Sequence, residues 1–237
     1  MSDNGKLNLV KEYNELLTGK PVADVIRFFS SEFPGRVGFS TSLGLEDQVL
    51  AQIIAATDPG MFMFTLDTGR LFPETYDLLD ITQKRYKISI QTYFPDFHSV
   101  EKMVSKKGIN LFYESVENRK LCCHVRKIEP LRRALDNVDI WISGLRREQS
   151  VTRHKSALVE WDKTNEKIKV NPLIDWSLDE VWEYIKAHNI PYNPLHDKGF
   201  PSIGCLPCTR AIEPGEDIRA GRWWWEHPEH KECGLHK

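Results

Sequence analysis

The cysteines are the residues of this sequence whose type and spacing point most directly to chemistry. Five occur among 237 residues. Cys122 and Cys123 are adjacent, Cys205 and Cys208 form a CxxC motif, and Cys233 lies close to the end of the sequence. With no secretory signal to favour disulfides, cysteines in this number indicate metal binding or thiol chemistry. The odd count predicts a group of four and a fifth cysteine with a separate role.

The CxxC motif is the more specific of the two cysteine pairs. Gly204 and Pro207 favour a turn from which two thiolates reach one metal centre. The alternative is a redox-active CxxC, but that motif normally opens a helix early in a thioredoxin-like unit. Adjacent cysteines on a helix diverge by about 100°, which suits a cluster with separated iron corners slightly better than one zinc ion. The spacing therefore predicts a metal centre and leaves zinc and iron-sulfur open.

Cys233 has a different chemical setting from the other cysteines. Gly234 follows it, and Lys231, His236 and Lys237 lie nearby in the sequence. An exposed thiol is only a few per cent thiolate at neutral pH, and neighbouring cations raise that fraction. The setting predicts a nucleophile on a mobile tail, and the alternative is a terminal cysteine without a role.

Positive charge is concentrated locally. A formal net charge of −2 gives no global attraction for nucleic acid or membrane surfaces. About half of the clustered cations are interpreted as solvated helix faces, and the others as a site for a small, multiply charged anion. The clusters comprise Arg119, Lys120, Arg126, Lys127, Arg132 and Arg133, then Arg146, Arg147, Arg153 and Lys155, then Arg219 and Arg222.

The elements that must position these residues alternate along the chain. Such alternation predicts βαβ units, and hence one α/β domain with a mostly parallel sheet and helices on both faces. Apart from a small hairpin at Ala157–Trp161 and Lys167–Val170, the predicted strands are Arg36–Ser40, Met61–Leu66, Ile88–Tyr93 and Asp139–Ser143. The predicted helices are 7–17, 21–32, Glu46–Ala56, Pro73–Arg85, the cysteine-bearing helix and Val181–His188.

Composition divides the chain into a domain of residues 1–225 and a mobile C-terminal tail of residues 226–237. From about Pro191 onward, proline, glycine, histidine and tryptophan predict loops with short helical turns. Trp223–Trp225 are interpreted as anchors in the core, with one exposed tryptophan as the alternative. No run approaches the ~20 apolar residues of a membrane span, and no signal-peptide core is present. We therefore expect a soluble, cytoplasmic protein.

Two loops follow predicted strands and suit an anionic ligand. In an open parallel sheet, ligands bind beyond the carboxyl ends of the strands. The first loop offers Ser40, Ser42 and Gly44, and the second offers Leu66 and Asp67. Neither loop is a Walker A or GxGxxG motif. A nucleotide site is one interpretation, and helix caps with tight turns are the other.

Several segments together resemble the assimilatory sulfonucleotide reductases, which reduce adenylyl sulfate (APS) or its 3′-phosphorylated form (PAPS). The C-terminal signature is Lys231-Glu-Cys-Gly-Leu-His236. The first strand and loop resemble the family's modified PP-loop, of the adenine nucleotide alpha hydrolase-like fold, although Ser40–Gly44 is poorer in glycine than SGGxD. The other matching segments are Cys122-Cys123 with Arg126 and Lys127, Gly144-Leu-Arg-Arg-Glu-Gln-Ser150, Pro191-Tyr-Asn-Pro-Leu-His-Asp197, Gly204-Cys-Leu-Pro-Cys-Thr209 and Arg219-Ala-Gly-Arg-Trp223.

The resemblance implies a cofactor, a substrate and a partner. The APS-reducing branch carries both cysteine pairs on a 4Fe-4S cluster, whereas the PAPS-reducing branch typically lacks them. The cluster ligands would be Cys122, Cys123, Cys205 and Cys208, with APS as preferred substrate and PAPS or both as the alternative. Cys233 would attack the sulfonyl sulfur, and thioredoxin would release sulfite from the resulting S-sulfocysteine, in sulfate assimilation toward cysteine biosynthesis. A homo-oligomer is also implied.

An anionic thiolate can approach an anionic sulfate only where positive charge already lies. The candidate substrate residues are Ser40, Ser42, Gly44, Leu66, Asp67, Lys127, Gly144, Arg146, Arg147, Arg219 and Arg222. Two more remote alternatives are a PP-loop sulfurtransferase or adenylyltransferase and a zinc-stabilised nucleotide-binding or nucleic-acid-binding module. The altered loop argues against the first, and the second leaves Cys233 unexplained.

Overall fold

The fold of the protein was analysed on a computed structural model, which describes residues 3–149 and 153–227. The helices are α1 (Asp3–Leu17), α2 (Val22–Glu32), α3 (Leu45–Thr57), α4 (Pro73–Tyr86), α5 (Phe97–Lys107), α6 (Val116–Cys123), α7 (Glu129–Leu135) and α8 (Leu178–Ala187). The strands are β1 (Val37–Thr41), β2 (Phe62–Leu66), β3 (Ile90–Tyr93), β4 (Ile140–Ile142), β5 (Val159–Asp162) and β6 (Lys167–Val170).

All six strands form one sheet in the order β3-β2-β1-β4-β6-β5. Neighbours pair in parallel, except that β5 and β6 form an antiparallel hairpin. Right-handed crossovers through helices are the usual way to join parallel strands, which explains the helices between β1, β2, β3 and β4. The predicted mostly parallel sheet is confirmed.

Alternating side chains on the strands bury both faces of the sheet. Met63 and Ile142 belong to the core that packs with α2, α3 and α8, whereas Phe64 and Trp141 belong to a second core with Leu131 of α7. Successive residues of a strand point to opposite faces. Helices therefore cover both faces, as predicted.

The helical segment that carries the adjacent cysteines contains one irregular turn. A regular helix running unbroken to Pro130 would place Lys127 on the same face as Cys123, but residues His124–Ile128 form a π-helical turn between α6 and α7. Proline lacks an N–H and its ring clashes with the carbonyl four residues earlier in a regular α-helix. Pro130 is thus a physical cause of the wider turn, and such turns occur frequently at functional sites.

Helix α5 was not predicted from the sequence, although its ends carry recognisable signals. The Asp96 carboxylate accepts a hydrogen bond from the Ser99 N–H at 2.8 Å, and Gly108 follows the last turn with a φ of 81°. Of its own residues only Met103 is fully buried, so the apolar stripe that normally reveals a helix is weak.

Beyond α8 the described chain forms loops, short 3-10 turns at His196–Lys198 and Leu206–Cys208, and an isolated bridge between Thr209 and Arg222. This agrees with the loop-rich region predicted after Pro191. No helix within residues 3–149 and 153–227 is long and apolar enough to cross a membrane.

Candidate active site

A cavity of about 260 Å³ opens at the carboxyl ends of the parallel strands. Its walls come from the β1–α3 loop, the end of β2, the segment after β4 and the loops of the last third of the chain. We call it the strand-end cavity. Among the predicted substrate residues, it is lined by Ser40, Ser42, Gly44, Leu66, Lys127, Gly144, Arg146, Arg219 and Arg222.

Asp47 holds the β1–α3 loop in place beneath the strand-end cavity. Its buried carboxylate accepts hydrogen bonds from the Ser42 N–H at 2.6 Å and the Ser42 hydroxyl at 2.7 Å. A Cβ at Gly144 would overlap this carboxylate, so only glycine lets the two loops approach so closely. Burial raises the pKa of Asp47 to about 6, although the hydrogen bonds from Ser42 oppose the rise.

We expect Asp47→Asn to change how stability depends on pH. A carboxyl whose pKa rises on folding, here from 3.8 to about 6, penalises the folded state progressively as pH rises between those values. The stability of the wild type relative to Asp47→Asn should therefore fall by about 2 kcal/mol between pH 4.5 and 7.5. Urea unfolding at several pH values measures this difference, with Asp77→Asn, on the exposed side of α4, as control. An equal difference at every pH would contradict the prediction.

The arginines after β4 have different surroundings. Arg146 is 2% exposed, lines the cavity and donates to a Glu46 carboxylate oxygen at 2.8 Å. The positive charge of Arg146 is therefore partly balanced by Glu46, which lines the same cavity. Arg147 instead pairs with Asp175 and donates to the Ser156 carbonyl, and it does not line the cavity.

Asp67 also lies outside the cavity lining, in the turn after β2. Its carboxylate accepts hydrogen bonds from the Gly69 N–H at 2.7 Å and the Tyr76 hydroxyl at 2.9 Å. Burial, together with this bond to Asp67, raises the pKa of Tyr76 to about 12. Asp67 thus shapes the turn that leads to Thr68, which does line the cavity.

Several lining residues were missed as candidates. Thr68, Ser143, Arg153 and His196 all line the strand-end cavity. Arg153 was recognisable only as one of several clustered cations. His196 lies in the Pro191–Asp197 segment, whose resemblance to the reductases was the available signal. Burial lowers the pKa of His196, although Glu46 opposes this, so a neutral imidazole faces the cavity at neutral pH.

A second, smaller cavity of about 20 Å³ is lined by Cys122, Cys123, Cys205 and Cys208. We call it the cysteine cavity. The end of α6 carries the adjacent pair, whereas Cys205 immediately precedes the 3-10 turn Leu206–Cys208 and Cys208 ends it. That turn is held by a hydrogen bond from the Leu206 N–H to the Arg70 carbonyl at 2.8 Å. The four cysteines that the sequence groups by spacing are thus brought together.

Cations surround the cysteine cavity, which adjoins the strand-end cavity. Its lining includes Arg70, Arg119, Arg126, Lys127 and Arg222, and the last two also line the strand-end cavity, as does Trp223. The Arg126 guanidinium is buried and donates to the Thr68 carbonyl at 2.7 Å. Positive charge therefore lies on the boundary that the two cavities share.

Two of these thiols, Cys122 and Cys208, lie in a setting that raises the pKa of the thiol. Burial raises the pKa of Cys208 to about 12, with Cys205 and Cys123 adding to the rise and Lys127 and Arg222 opposing it. Burial also raises the pKa of Cys122, while Arg126 lowers it. Metal binding to such thiols would release protons.

The four cysteines are a donor set that binds soft metals. Within residues 3–149 and 153–227, no three His, Cys, Asp or Glu side chains converge as they would around one metal ion. Four cysteines and several cations line one cavity, and four thiolates are the donor set of both iron-sulfur clusters and structural zinc sites. The residues present therefore fit a thiolate-bound metal centre.

The tryptophans at the end of the described chain divide between core and surface. Trp223 is 2% exposed and lines both cavities, whereas Trp224 is 39% exposed. Glu226, the first residue of the predicted tail, is buried and forms an ion pair with Arg119. Cys233 lies outside the described residues.

The fold and the two cavities define an α/β protein with a cavity partly lined by cations at the carboxyl ends of its strands and a group of four cysteines beside it. The model of the phosphoadenosine phosphosulfate reductase domain matches residues 36–211. The chain belongs to this family and is an enzyme, an oxidoreductase acting on a sulfur group.

Curated relatives and a solved structure agree with this assignment. An adenosine 5′-phosphosulfate reductase of Allochromatium vinosum is 54% identical over 84% of this chain and 78% of its own. One from Agrobacterium fabrum is 49% identical over 93% of this chain and 84% of its own. The phosphate complex of a phosphoadenylyl-sulfate (PAPS) reductase from Candida auris superposes with a TM-score of 0.75 at 28% identity, covering 90% of this chain and 98% of the other.

Proposed function

We propose that this enzyme reduces APS to sulfite and AMP in the cytoplasm, with thioredoxin as the reductant and Cys233 as the nucleophile, during sulfate assimilation. The observation that carries the proposal is the shared boundary between the strand-end cavity and a cavity lined by four cysteines, with Lys127 and Arg222 in both linings. Curated relatives named adenosine 5′-phosphosulfate reductase, about half identical to this chain, favour APS.

The proposed reaction has three steps. The Cys233 thiolate attacks the sulfonyl sulfur of APS, an S–S bond forms, the bond from sulfur to the phosphate oxygen breaks, and AMP leaves. One thiolate of reduced thioredoxin then attacks the Cys233 sulfur and expels sulfite. The second thioredoxin thiol resolves the mixed disulfide, so thioredoxin supplies both electrons and leaves oxidised.

The described residues supply binding and charge compensation in this scheme. The β1–α3 loop with Ser40, Ser42 and Gly44, together with Gly144, forms the wall of the cavity against which the nucleotide would lie, and Asp47 fixes the shape of this wall through the Ser42 N–H and hydroxyl. Lys127, Arg219 and Arg222 offset the negative charge that thiolate and sulfate bring together. Arg146 also lines the cavity, and its ion pair with Glu46 holds its guanidinium in place there. These roles are proposals.

The cofactor in this proposal is a 4Fe-4S cluster held by Cys122, Cys123, Cys205 and Cys208, the lining of the cysteine cavity. When bound, it would shape the electrostatic field at the boundary of the two cavities, because a dithiol partner already supplies the electrons. Arg70, Arg119 and Arg126 offset the negative charge of the thiolates.

The proposal is tested by measuring sulfite from APS and from PAPS, with reduced thioredoxin and anaerobically purified protein whose iron and acid-labile sulfide are counted. About four irons per chain and strong preference for APS support it. Activity on PAPS without bound iron would keep Cys233 as the proposed nucleophile and contradict the cluster assignment. No activity on either substrate, with zinc bound, would instead favour the binding module.

We expect Lys127→Ala to slow the first chemical step and leave the metal content unchanged. Lys127 lines both cavities, so its ammonium can stabilise the charge that develops as the thiolate approaches sulfate. Loss of one such group typically costs roughly 10²- to 10³-fold in rate. A single-turnover assay measures the rate of S-sulfocysteine formation. An unchanged rate would show that Lys127 has no role in this step. Lys120→Ala, on the exposed side of α6, is the control.

A further inference from the structure

A buried ion pair joins the end of the described chain to the cysteine-bearing helix. The Glu226 carboxylate accepts two hydrogen bonds from the Arg119 guanidinium, at 2.9 Å from Nε and 2.7 Å from Nη2. The two side chains are only 0% and 3% exposed. Removing both charges from water is costly unless the geometry is good, and the two-pronged arrangement here is the favourable one. The pair therefore connects α6 rigidly to the chain at Glu226.

Aromatic and thiol groups enclose this pair. The Arg119 guanidinium lies 4.8 Å from the centre of the Trp223 ring, and Arg222 lies 4.7 Å from the same ring. Burial lowers the pKa of Arg119, but Glu226 and Cys123 more than offset this and raise it. Arg119 is therefore a fixed cation between the cysteine cavity and Glu226.

Other contacts already hold the residues that line the cavities. The Trp223 N–H donates to the Cys208 carbonyl at 3.1 Å, and Arg222 forms a bridge with Thr209. These backbone contacts do not involve the Glu226 carboxylate. The Glu226 N–H also donates to the Trp223 carbonyl at 2.8 Å, and the Arg119–Glu226 pair adds a side-chain anchor for the direction in which the chain leaves Trp223.

We propose that the Arg119–Glu226 ion pair positions the chain segment that carries Cys233, so that its thiolate meets the sulfonyl group of the bound substrate. Cys233 follows Glu226 by seven residues, and seven residues span at most about 25 Å. The place and direction of chain exit thus limit where the thiol can reach. This inference rests on the proposed function. Both residues act through Cys233 and are positioning residues.

The test is single-turnover formation of the S-sulfocysteine adduct by Glu226→Gln, followed by intact-protein mass spectrometry under anaerobic conditions. We expect the rate to fall about 10- to 100-fold, because misplacing a reacting group by about 1 Å costs this much. The affinity for AMP and the iron content should stay at wild-type values, since backbone contacts hold Arg222 and Trp223. A role limited to stability would lower the melting temperature and leave the rate of the folded enzyme unchanged, which would overturn the inference.

Three further variants separate positioning from side effects. Glu226→Asp keeps the charge and should recover part of the rate. Arg119→Met with Glu226→Met removes both charges, so no uncompensated cation stays beside Cys123; we expect this double variant to react slowly as well, and a wild-type rate would overturn the inference. Glu216→Gln is the matched control, because Glu216 accepts two hydrogen bonds from Arg210, both at 2.8 Å, in a half-exposed pair.

The same experiment distinguishes failure of this inference from failure of the proposed function. If the wild type forms no adduct on Cys233 with APS, the proposed nucleophile is wrong. If the wild type and Glu226→Gln form the adduct at equal rates, the proposed function stands and the positioning role fails. If Glu226→Gln is too unstable to purify, Glu226→Asp and the double methionine variant carry the same comparison.

Discussion

Cys233→Ser should release no sulfite from APS in the presence of reduced thioredoxin. A serine hydroxyl is almost wholly protonated at neutral pH and is a far weaker nucleophile than a thiolate. Loss of a nucleophile typically lowers the rate by on the order of 10⁴-fold or more. The decisive measurement is twofold: sulfite release under steady-state conditions, and the absence of a sulfonate adduct after incubation with APS alone.

This variant carries its own controls. Cys122, Cys123, Cys205 and Cys208 already supply the four thiolates that a cluster needs, so replacement of Cys233 should leave iron, labile sulfide and AMP affinity at wild-type values. Normal binding with no turnover would place the defect in the chemical step. Sulfite release at even a tenth of the wild-type rate would exclude Cys233 as the nucleophile and return attention to the thiols at the cavity boundary.

Cys208→Ser should lose most of its iron, together with the visible absorbance of a cluster. Cys208 is buried, and its thiol lines the same cavity as those of Cys122, Cys123 and Cys205. A serine oxygen is a poor substitute for a thiolate on iron. We expect fewer than about one iron per chain, against about four in the wild type, measured by metal analysis with parallel counting of labile sulfide.

Cys208→Ser and Cys233→Ser form a reciprocal pair. The first should remove iron, and the second should remove the nucleophile and keep the iron. Full iron content in Cys208→Ser would show that the CxxC motif is not a ligand pair. Zinc in the wild type, with none in Cys208→Ser, would keep these cysteines as ligands and replace the cluster with a different metal. Circular dichroism checks that Cys208→Ser has folded.

The sequence indicated where the two candidate ligand-binding loops lie, because each directly follows a predicted strand of the parallel sheet. The carboxyl ends of parallel strands meet at one edge of the sheet, so the loops with Ser42 and with Asp67 were expected at that edge, whereas Gly144 was a candidate only through the resemblance. The structure brings Gly144 against Asp47 at the same edge. That Asp47 is the residue which holds the loop was not predicted, because a carboxylate just inside a helix is first interpreted as a favourable partner of the helix dipole.

Side-chain direction was harder to predict than loop position. Arg146 and Arg147 are consecutive and looked equivalent, yet Arg146 meets Glu46 and Arg147 meets Asp175. Asp67 likewise turns toward the Tyr76 hydroxyl. Each choice depends on a partner from another element, and the energy of an ion pair depends on how far packing removes it from water.

From the sequence alone, the alternation of apolar strands and amphipathic helices determined the α/β sheet, and the types and spacing of the cysteines determined a group of four with one apart. Both are local properties that periodicity and residue chemistry express directly. The tertiary structure alone decided that the cysteine cavity and the strand-end cavity share Lys127, Arg222 and Trp223. It also decided that Arg119 would form an ion pair with Glu226, 107 residues away. Such pairs form only once packing has excluded water around them, because burial makes an unpaired charge too costly to leave alone.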